Sequence, residues 1–410
     1  MSTKKPSILY IVPSALDALR RKGVVNTILE RDLDGFFGRV LTVHPRTRNT
    51  RAVKLGENNL IWEFGPDALP GSTRLKLLRL IQAPHYIWCT LTRTVKLVRS
   101  ENVDLIQATD PYWMGLLGWV VSRLTGRTLC VSIHADYDQR YVLDGAKGAP
   151  VILGSRSLAK RLERFVLNRA DTVLPIRDSL GSKVTELGVS TSIRIHPHGI
   201  DFEPFVSQPK IDIRKRFEIP AEKHILSFVG RLSNENYVDD LLVVARELAN
   251  RRKDFVMLLV GGGNEEARLA RRVAEDDTLS ESVTLVGFQT REMVAEIRKA
   301  SILSLCPMGG FSLIEACAAG SAPIAYDIEW HDELVHNGET GFLIKENDTD
   351  AVVEAATALL DAPDRASRLG KAARDLALTK HAWRDVRDLK RLTYTEIISK
   401  RRKGMDLVRL

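Results

Sequence analysis

A chain of 410 residues is long for one core and fits two domains of roughly 200 residues each. Apolar residues make up 44% and charged residues 27%, an ordinary globular composition that excludes a disordered or fibrous protein. The net charge of +8 is unevenly placed: residues 1–200 hold 29 Lys plus Arg against 17 Asp plus Glu, residues 201–410 hold 31 against 35, so a basic partner surface belongs to the first half.

The start, MSTKKPS, leads directly into the apolar run ILYIV and does not read as a signal peptide. Short apolar runs then alternate with helical stretches, which predicts parallel sheets covered by helices on both faces. In the first half the expected strands are Ile8–Val12, Val40–Val43, Asp104–Gln107, Leu129–His134, Thr172–Pro175 and Ile193–His196. Between them, Leu75–Val98 mixes bases with Leu, Ile, Tyr86 and Trp88, as a helix at an anionic membrane surface would, or as a solvated helix of a basic protein. The longest apolar stretch, Tyr112–Val121, is about half the roughly 20 residues a membrane span requires, and a cytoplasmic protein is expected. No helix-turn-helix, zinc finger or RNP-like strand accompanies the charge, so nucleic acid is not an expected partner.

A proline-rich stretch, HPHGIDFEPFVSQPKIDIRKRFEIP, reads as a linker, after which the pattern restarts near residue 224. The expected boundaries are 1–200, a linker over 201–222, a second domain over 223–380, and a C-terminal helix with a basic tail over 381–410. Strands of the second domain are expected at Ile225–Val229, Val256–Val260, Val283–Val286, Ile302–Leu305, Pro323–Tyr326 and Gly341–Ile344. Two doubly wound domains joined this way bind ligands where the carboxyl ends of their strands face a cleft. The four cysteines are scattered in apolar contexts and read as reduced core residues rather than a disulfide framework or zinc site.

The richest segment runs from Ser304 to Leu343. Gly309, Gly310, Phe311, Ser312 and Glu315 stand between an apolar strand and an amphipathic helix. Glycines let backbone approach an anion, and the first-turn N–H groups with the positive end of the helix dipole supply donors. Steric need at a strand-to-helix turn is the competing reason for such glycines. An acid at Glu315 would repel phosphate if it faced the anion, so a role on neighbouring hydroxyls is expected.

FVGRLSNENYVDDLL, VGGGNEEARL, SVTLVGFQTREMVAEIRKASILSLCP, IEACAAGSAPIAYD and ELVHNGETGFL follow one another in an order and spacing that resembles the family 4 glycosyltransferases, retaining nucleotide-sugar enzymes of α/β GT-B architecture with two Rossmann-like domains. HPHGIDFEPF is similar to the family's Asn-Gly-Val-Asp element. The first half matches only in outline, as when the second domain binds a common donor and the first a variable acceptor. The resemblance implies that Arg231, after Gly230, meets the donor diphosphate. It also implies that Phe311, Ser312 and Leu313 offer backbone N–H groups to the phosphates beside Gly309 and Gly310, and that Glu315 accepts from the ribose. Val286, Gly287 and Phe288 would lie near the base, and His134 beside the transferred sugar. Gly23 is the counterpart of the family's flexible first-loop glycine, without its usual pair.

Two departures stand out. The Glu-Lys pair that follows Gly-Arg-Leu in the family is here Glu235 and Asn236, and the glutamate eight positions before the one matching Glu315 is here Pro307. A charge-assisted bond to a diphosphate is worth roughly 1.5 to 3 kcal/mol, so losing the lysine weakens the donor by about one to two orders of magnitude. Asp327 and Glu329, in YDIEW, are the carboxylates expected to compensate. The resulting expectation is a retaining transfer from a nucleoside-diphosphate sugar to a carbohydrate or lipid-linked acceptor hydroxyl in surface polysaccharide or glycolipid synthesis. No metal or other cofactor is expected, since no Asp-x-Asp element clearly places a cation. Front-face attack is favoured, because no paired carboxylates mark a double displacement. The rival is a degenerate homologue that binds a glycan or partner without turnover; a sugar-nucleotide epimerase on the same architecture is a second. A dinucleotide dehydrogenase is disfavoured, since GGGN at Gly261–Asn264 lacks the third glycine of the fingerprint.

Overall fold

The computed structural model describes residues 5–21, 25–45, 47, 50–65, 76–138 and 155–407. The chain forms two compact units, one running to Pro197 and resuming from Arg387, the other spanning His198–Val386. Gly23 lies outside the described residues.

The first unit holds β1 (Ser7–Ile11), β2 (Arg39–His44), β3 (Arg51–Leu55), β4 (Asn59–Glu63), β5 (Leu105–Ala108), β6 (Thr128–Ile133), β7 (Thr172–Pro175) and β8 (Ser192–Ile193), in the sheet order β3-β4-β2-β1-β5-β6-β7-β8. All neighbours are parallel except the edge pair β3–β4. The central strands are buried on both faces because both are covered, the arrangement a parallel sheet requires. The pair β3–β4 was not expected from the sequence. At the sheet edge β3 alternates half-buried and exposed positions, so RAVKL carries no apolar run to mark it. At the other edge the regular strand is short, Ser192–Ile193, where Ile193–His196 was expected, although Arg194 and His196 still donate backbone N–H bonds to Val173 O and Pro175 O of β7.

The second unit is all parallel: β9 (His224–Val229), β10 (Phe255–Val260), β11 (Val283–Gly287), β12 (Leu303–Cys306), β13 (Ala322–Tyr326) and β14 (Phe342–Ile344), in the order β11-β10-β9-β12-β13-β14. The stretch expected to be a linker is instead part of this unit. Phe202, Phe205, Ile213 and Ile219 are buried in the core on one side of the sheet, with Ile225, Val256, Leu258 and Ile297. Its prolines break regular structure, yet its apolar side chains are spaced to plug that core.

The last helix, Trp383–Leu407, brings the chain back to the first unit. Tyr394 is buried among Ile8, Tyr10, Phe37, Val40, Leu105 and Leu174, its ring set edge-on to Phe37 at 5.1 Å. Its hydroxyl donates to Gln107 Oε1 at 2.5 Å, and Arg391 donates through Nε (3.0 Å) and Nη2 (2.6 Å) to the carbonyl of Leu33. The C-terminal segment is therefore the lid on one face of the first sheet, and the charge it carries joins that unit. Removing the hydroxyl in Tyr394→Phe strands a buried acceptor and is expected to cost about 1–3 kcal/mol, while Tyr394→Ala adds a cavity and is expected to cost about 3–5 kcal/mol. Urea denaturation followed by fluorescence checks both, and unchanged midpoints would show that the helix is not part of the core.

Candidate functional site

At the carboxyl ends of β9, β10 and β11 three turns are stitched together through backbone. Gly230 N–H donates to Val260 O at 3.0 Å, Leu232 N–H to Gly262 O at 3.1 Å, and Gly261 N–H to Gly287 O at 2.9 Å. A Cβ at Gly261 would stand 1.9 Å from Gly230 O, and one at Gly263 would stand 2.2 Å from Leu232 O. The glycine run thus exists so that one loop can lie directly on another. Arg231 projects from this platform, exposed, and enters no ion pair among the described residues. Asn236, where the resemblance anticipates a lysine, donates its amide to Arg231 O at 2.8 Å and to Ser233 Oγ at 3.3 Å. It braces the turn from which the arginine extends.

After β12 the chain passes through Gly309 and Gly310 into the Phe311–Ala319 helix. Gly309 N–H donates to His331 Nε2 at 2.9 Å, while His331 Nδ1 lies 2.7 Å from the carbonyl oxygen of Tyr326. These partners assign the imidazole proton to Nδ1 and leave Nε2 as acceptor. A Cβ on Gly309 would come within 2.3 Å of that nitrogen, so only glycine permits the contact. Gly310 has φ +64° and ψ −148°, a conformation reserved for glycine, and the space beyond it is open for 4 Å. No side chain caps the helix, and its first-turn N–H groups, those of Phe311, Ser312 and Leu313, have no intrahelical partners.

The helix start is anchored from below. Ser312 Oγ donates to Val229 O at the end of β9 and accepts from Arg298 Nη2 at 2.6 Å. Arg298, on the Arg291–Ala300 helix, is 0% exposed and also donates to Ser304 Oγ at 3.2 Å, within a chain of buried hydroxyls that includes Ser227 and Ser321. A guanidinium is therefore held beneath the loop by neutral oxygens, so its charge is not cancelled by direct pairing. Glu315, one turn into the helix, feels it: burial raises the carboxyl's pKa, and the charges of Arg298 and Arg291 oppose the rise. Arg291 Nε lies 3.6 Å from Glu315 Oε1. Val286, Gly287 and Phe288 close β11. The Phe288 side chain is 86% exposed, Gly287 is open on its Cβ side, and Gln289 Nε2 donates to Val286 O at 2.9 Å.

One sheet end thus gathers Gly230, Arg231, Val286–Phe288, Gly309–Leu313 and Glu315, the full second-domain set anticipated from the sequence. Pro307 is buried beside Leu241, Val244, Leu305 and Tyr326, and the same wall holds one carboxylate, Asp240, which accepts from the Tyr326 hydroxyl at 2.5 Å. Asp327 is exposed at the end of β13, and Glu329 adopts φ +52°, a strained backbone for a non-glycine residue. His134 belongs to the first unit, just past β6, where burial and the charges of Lys390 and Arg31 push its imidazole down to about 4. It is neutral at neutral pH. Sequence reasoning missed Arg298 and His331. Arg298 left a trace, because it falls on the buried side of its helix with Val294 and Ile297, where a base is out of place.

Parallel strands with an open helix start and an exposed arginine at their carboxyl ends are the arrangement on which α/β proteins commonly hold phosphate. Comparison with known proteins narrows the class. Residues 18–199 match the family model described as glycosyl transferase 4-like domain, and residues 209–376 match glycosyl transferases group 1. D-inositol 3-phosphate glycosyltransferase of Nocardiopsis dassonvillei is 26% identical over 306 residues, 70% of this chain and 70% of that protein. Among solved structures, sucrose-phosphate synthase from Thermosynechococcus elongatus superposes with a TM-score of 0.70 at 21% identity, covering 96% of this chain and all of that one. HepE of Anabaena, solved with UDP and glucose, superposes at 0.68 and 15% identity over 95% of this chain and all of its own. The chain belongs to the family 4-type glycosyltransferases and has the GT-B fold.

The Gly309–His331 contact predicts a coupled pair. Gly309→Ala is expected to weaken nucleotide binding at least about tenfold. With His331→Ala added, the loss should be well short of the sum of the two single effects, because both disturb one contact. Calorimetric titration with UDP across the four proteins checks this, and strict additivity would contradict it.

Proposed function

We propose that this glycosyltransferase is a retaining enzyme that binds the diphosphate of a nucleoside-diphosphate sugar at the open start of the Phe311–Ala319 helix. The observation that carries this reading is the uncapped first turn, backed by the buried Arg298 and faced by the exposed Arg231. Phe311, Ser312 and Leu313 supply N–H donors to phosphate oxygens. Glu315 accepts from the ribose hydroxyls, and the backbone at Val286–Phe288 receives the base. UDP is the first nucleotide to try, since the HepE structure was solved with it.

In the reaction the bond between the anomeric carbon and the leaving diphosphate oxygen breaks, the acceptor oxygen bonds to that carbon on the same face, and the acceptor's proton passes to the departing phosphate. Charge gathers on the diphosphate in the transition state, where Arg231 and the helix dipole meet it without a resident metal. His134, kept neutral in the first unit by burial and by the charges of Lys390 and Arg31, is suited to act as a hydrogen-bonding group rather than as a charge. Arg231→Ala is expected to lower kcat about 10²–10³-fold, the cost of one lost transition-state donor. Release of free nucleoside diphosphate with and without acceptor measures this and separates transfer from epimerisation. A wild-type protein that binds nucleotide but never turns over would instead favour the degenerate binding homologue, the reading that Asn236 and Pro307 invite.

The acceptor is assigned to the first unit and to a membrane surface on the cytoplasmic side, in surface polysaccharide or glycolipid synthesis. On the Lys76–Ser100 helix Ile87 is 56% and Trp88 64% exposed. Trp88, Leu91, Val95, Lys96, Arg99 and Leu124 line one groove, so apolar and basic side chains share a face as at an anionic bilayer. No helix among the described residues is long and apolar enough to cross a membrane. Sedimentation with phosphatidylserine vesicles should carry the protein down in a salt-sensitive way, and Trp88→Glu should reduce the bound fraction severalfold. Equal recovery with neutral phosphatidylcholine vesicles would contradict the assignment.

A further inference from the structure

One face of the first sheet changes character along its strands. Near the amino ends it is apolar: Ile8, Val40, Leu105 and Cys130 pack with Phe37 and Ile397. Toward the carboxyl ends the same alternation brings up Tyr10, Thr42, His44, Gln107 and Ser132, with His134 immediately past β6. Tyr394 ties part of this polar patch together, its hydroxyl 2.5 Å from Gln107 Oε1 and 3.4 Å from that of Tyr10, while Gln107 Nε2 donates to Ser132 Oγ at 2.7 Å.

Two cations are held against this patch. Arg31 donates Nη1 to Thr42 Oγ1 at 3.0 Å and lies over the Tyr10 ring, its Cζ 4.7 Å from the centroid. Lys390, one turn before Tyr394 on the last helix, is half-buried and close enough to act electrostatically on His134, as Arg31 also does. Of the carboxylates nearby, Glu63, opposite His44 in the β2–β4 pairing, acts electrostatically on its ring, but the bonds of Glu63 and Asp34 go to other donors. Glu63 accepts from Leu16 N–H at 2.8 Å and Arg51 Nε at 2.5 Å, and Asp34 pairs with Arg387 and Arg391. Glu30, exposed, is the one carboxylate that acts on Lys390 among the described residues. Arg31 enters no ion pair among those residues. His44, two positions beyond Thr42 on β2, is 0% exposed and neither of its ring nitrogens has a hydrogen-bond partner. The backbones of Val12 and Ser14 come near the ring without completing a bond.

Half-buried cations with no carboxylate bonded to them and a buried, unsatisfied imidazole are costly to assemble, and a site for an anion explains all of them together. We propose that Arg31, Lys390 and His44 form a phosphoryl-binding site at the carboxyl end of the first unit's sheet, beside His134. This rests on the reading of the first unit as the acceptor domain and gives that acceptor a chemical class: a hydroxyl compound that carries a phosphate. The electrostatics agree. Burial lowers Lys390 to about 8 and holds His44 at about 4, and a bound anion would raise both.

The test is calorimetric titration of the full chain at fixed ionic strength, first with UDP, then, on the UDP-saturated protein, with inorganic phosphate, glucose 6-phosphate and glucose. Wild type is expected to bind both phosphates and not glucose, and Arg31→Met and Lys390→Met are each expected to weaken that binding at least about tenfold. UDP affinity in both variants should stay within a factor of about two of wild type. Tighter binding of the sugar phosphate than of inorganic phosphate assigns the group to the acceptor, and equal affinity assigns it to free phosphate. No phosphate binding, or binding that neither variant weakens, overturns the site. If UDP fails to bind while phosphate binds in an Arg31-dependent way, the donor reading falls and the anion site stands. Thermal melts check that Arg31→Met folds; if it does not, Lys390→Met and Lys390→Gln decide.

Discussion

The proposed donor site depends on one constraint: the start of the Phe311–Ala319 helix must be fixed in place while its N–H groups are left without protein acceptors. Two buried contacts achieve this from behind. Arg298 and Val229 hold Ser312 by its hydroxyl, and His331 holds Gly309 by its amide. Neither contact uses the first-turn N–H groups of Phe311, Ser312 or Leu313. A helix end without a cap has unsatisfied donors, and burying a guanidinium among neutral hydroxyls is unfavourable. Both costs are offset when a dianion arrives, which is how a neutral loop can bind phosphate with one exposed arginine.

This arrangement also accounts for the departures from the family pattern. Asn236 cannot meet a phosphate as a lysine would, but it holds the Gly230–Leu232 turn through Arg231 O. Pro307 packs against a wall whose carboxylate is Asp240, bonded to Tyr326, and Gly309, two residues on, carries the close contact with His331. Glu329, in the following bend, takes a positive φ of +52°, as Asp34 and Glu218 also do.

Much of the fold was legible in the sequence. Buried parallel strands are short apolar runs, and eleven of the twelve expected strands appear within a residue or two of their predicted places, with only the short β8 falling well short. The second-domain loop was legible through its ordered set of motifs rather than its glycines alone, which a strand-to-helix turn can require for steric reasons. What escaped was whatever long-range contact creates. The edge pair β3–β4 has no apolar run of its own. The proline-rich stretch looked like a linker because its four buried side chains are far apart in sequence and converge only on the folded core. The last segment was expected as a helix with a basic tail, but nothing in its sequence showed that it completes the first unit through Tyr394. His331 could not be found by pattern at all: its role comes from lying 22 residues from Gly309 and meeting it across the loop. The charge asymmetry was visible in composition, but its focus at Arg31 and Lys390 needed the returning helix.

Hydrogen–deuterium exchange of the backbone amides, with and without saturating UDP, tests the central claim most directly. The account predicts that slowed exchange concentrates at Phe311–Leu313, with a second, smaller effect at Val286–Phe288, and that Arg298→Met diminishes the first. Protection that avoids Phe311–Leu313 while UDP is bound would contradict it.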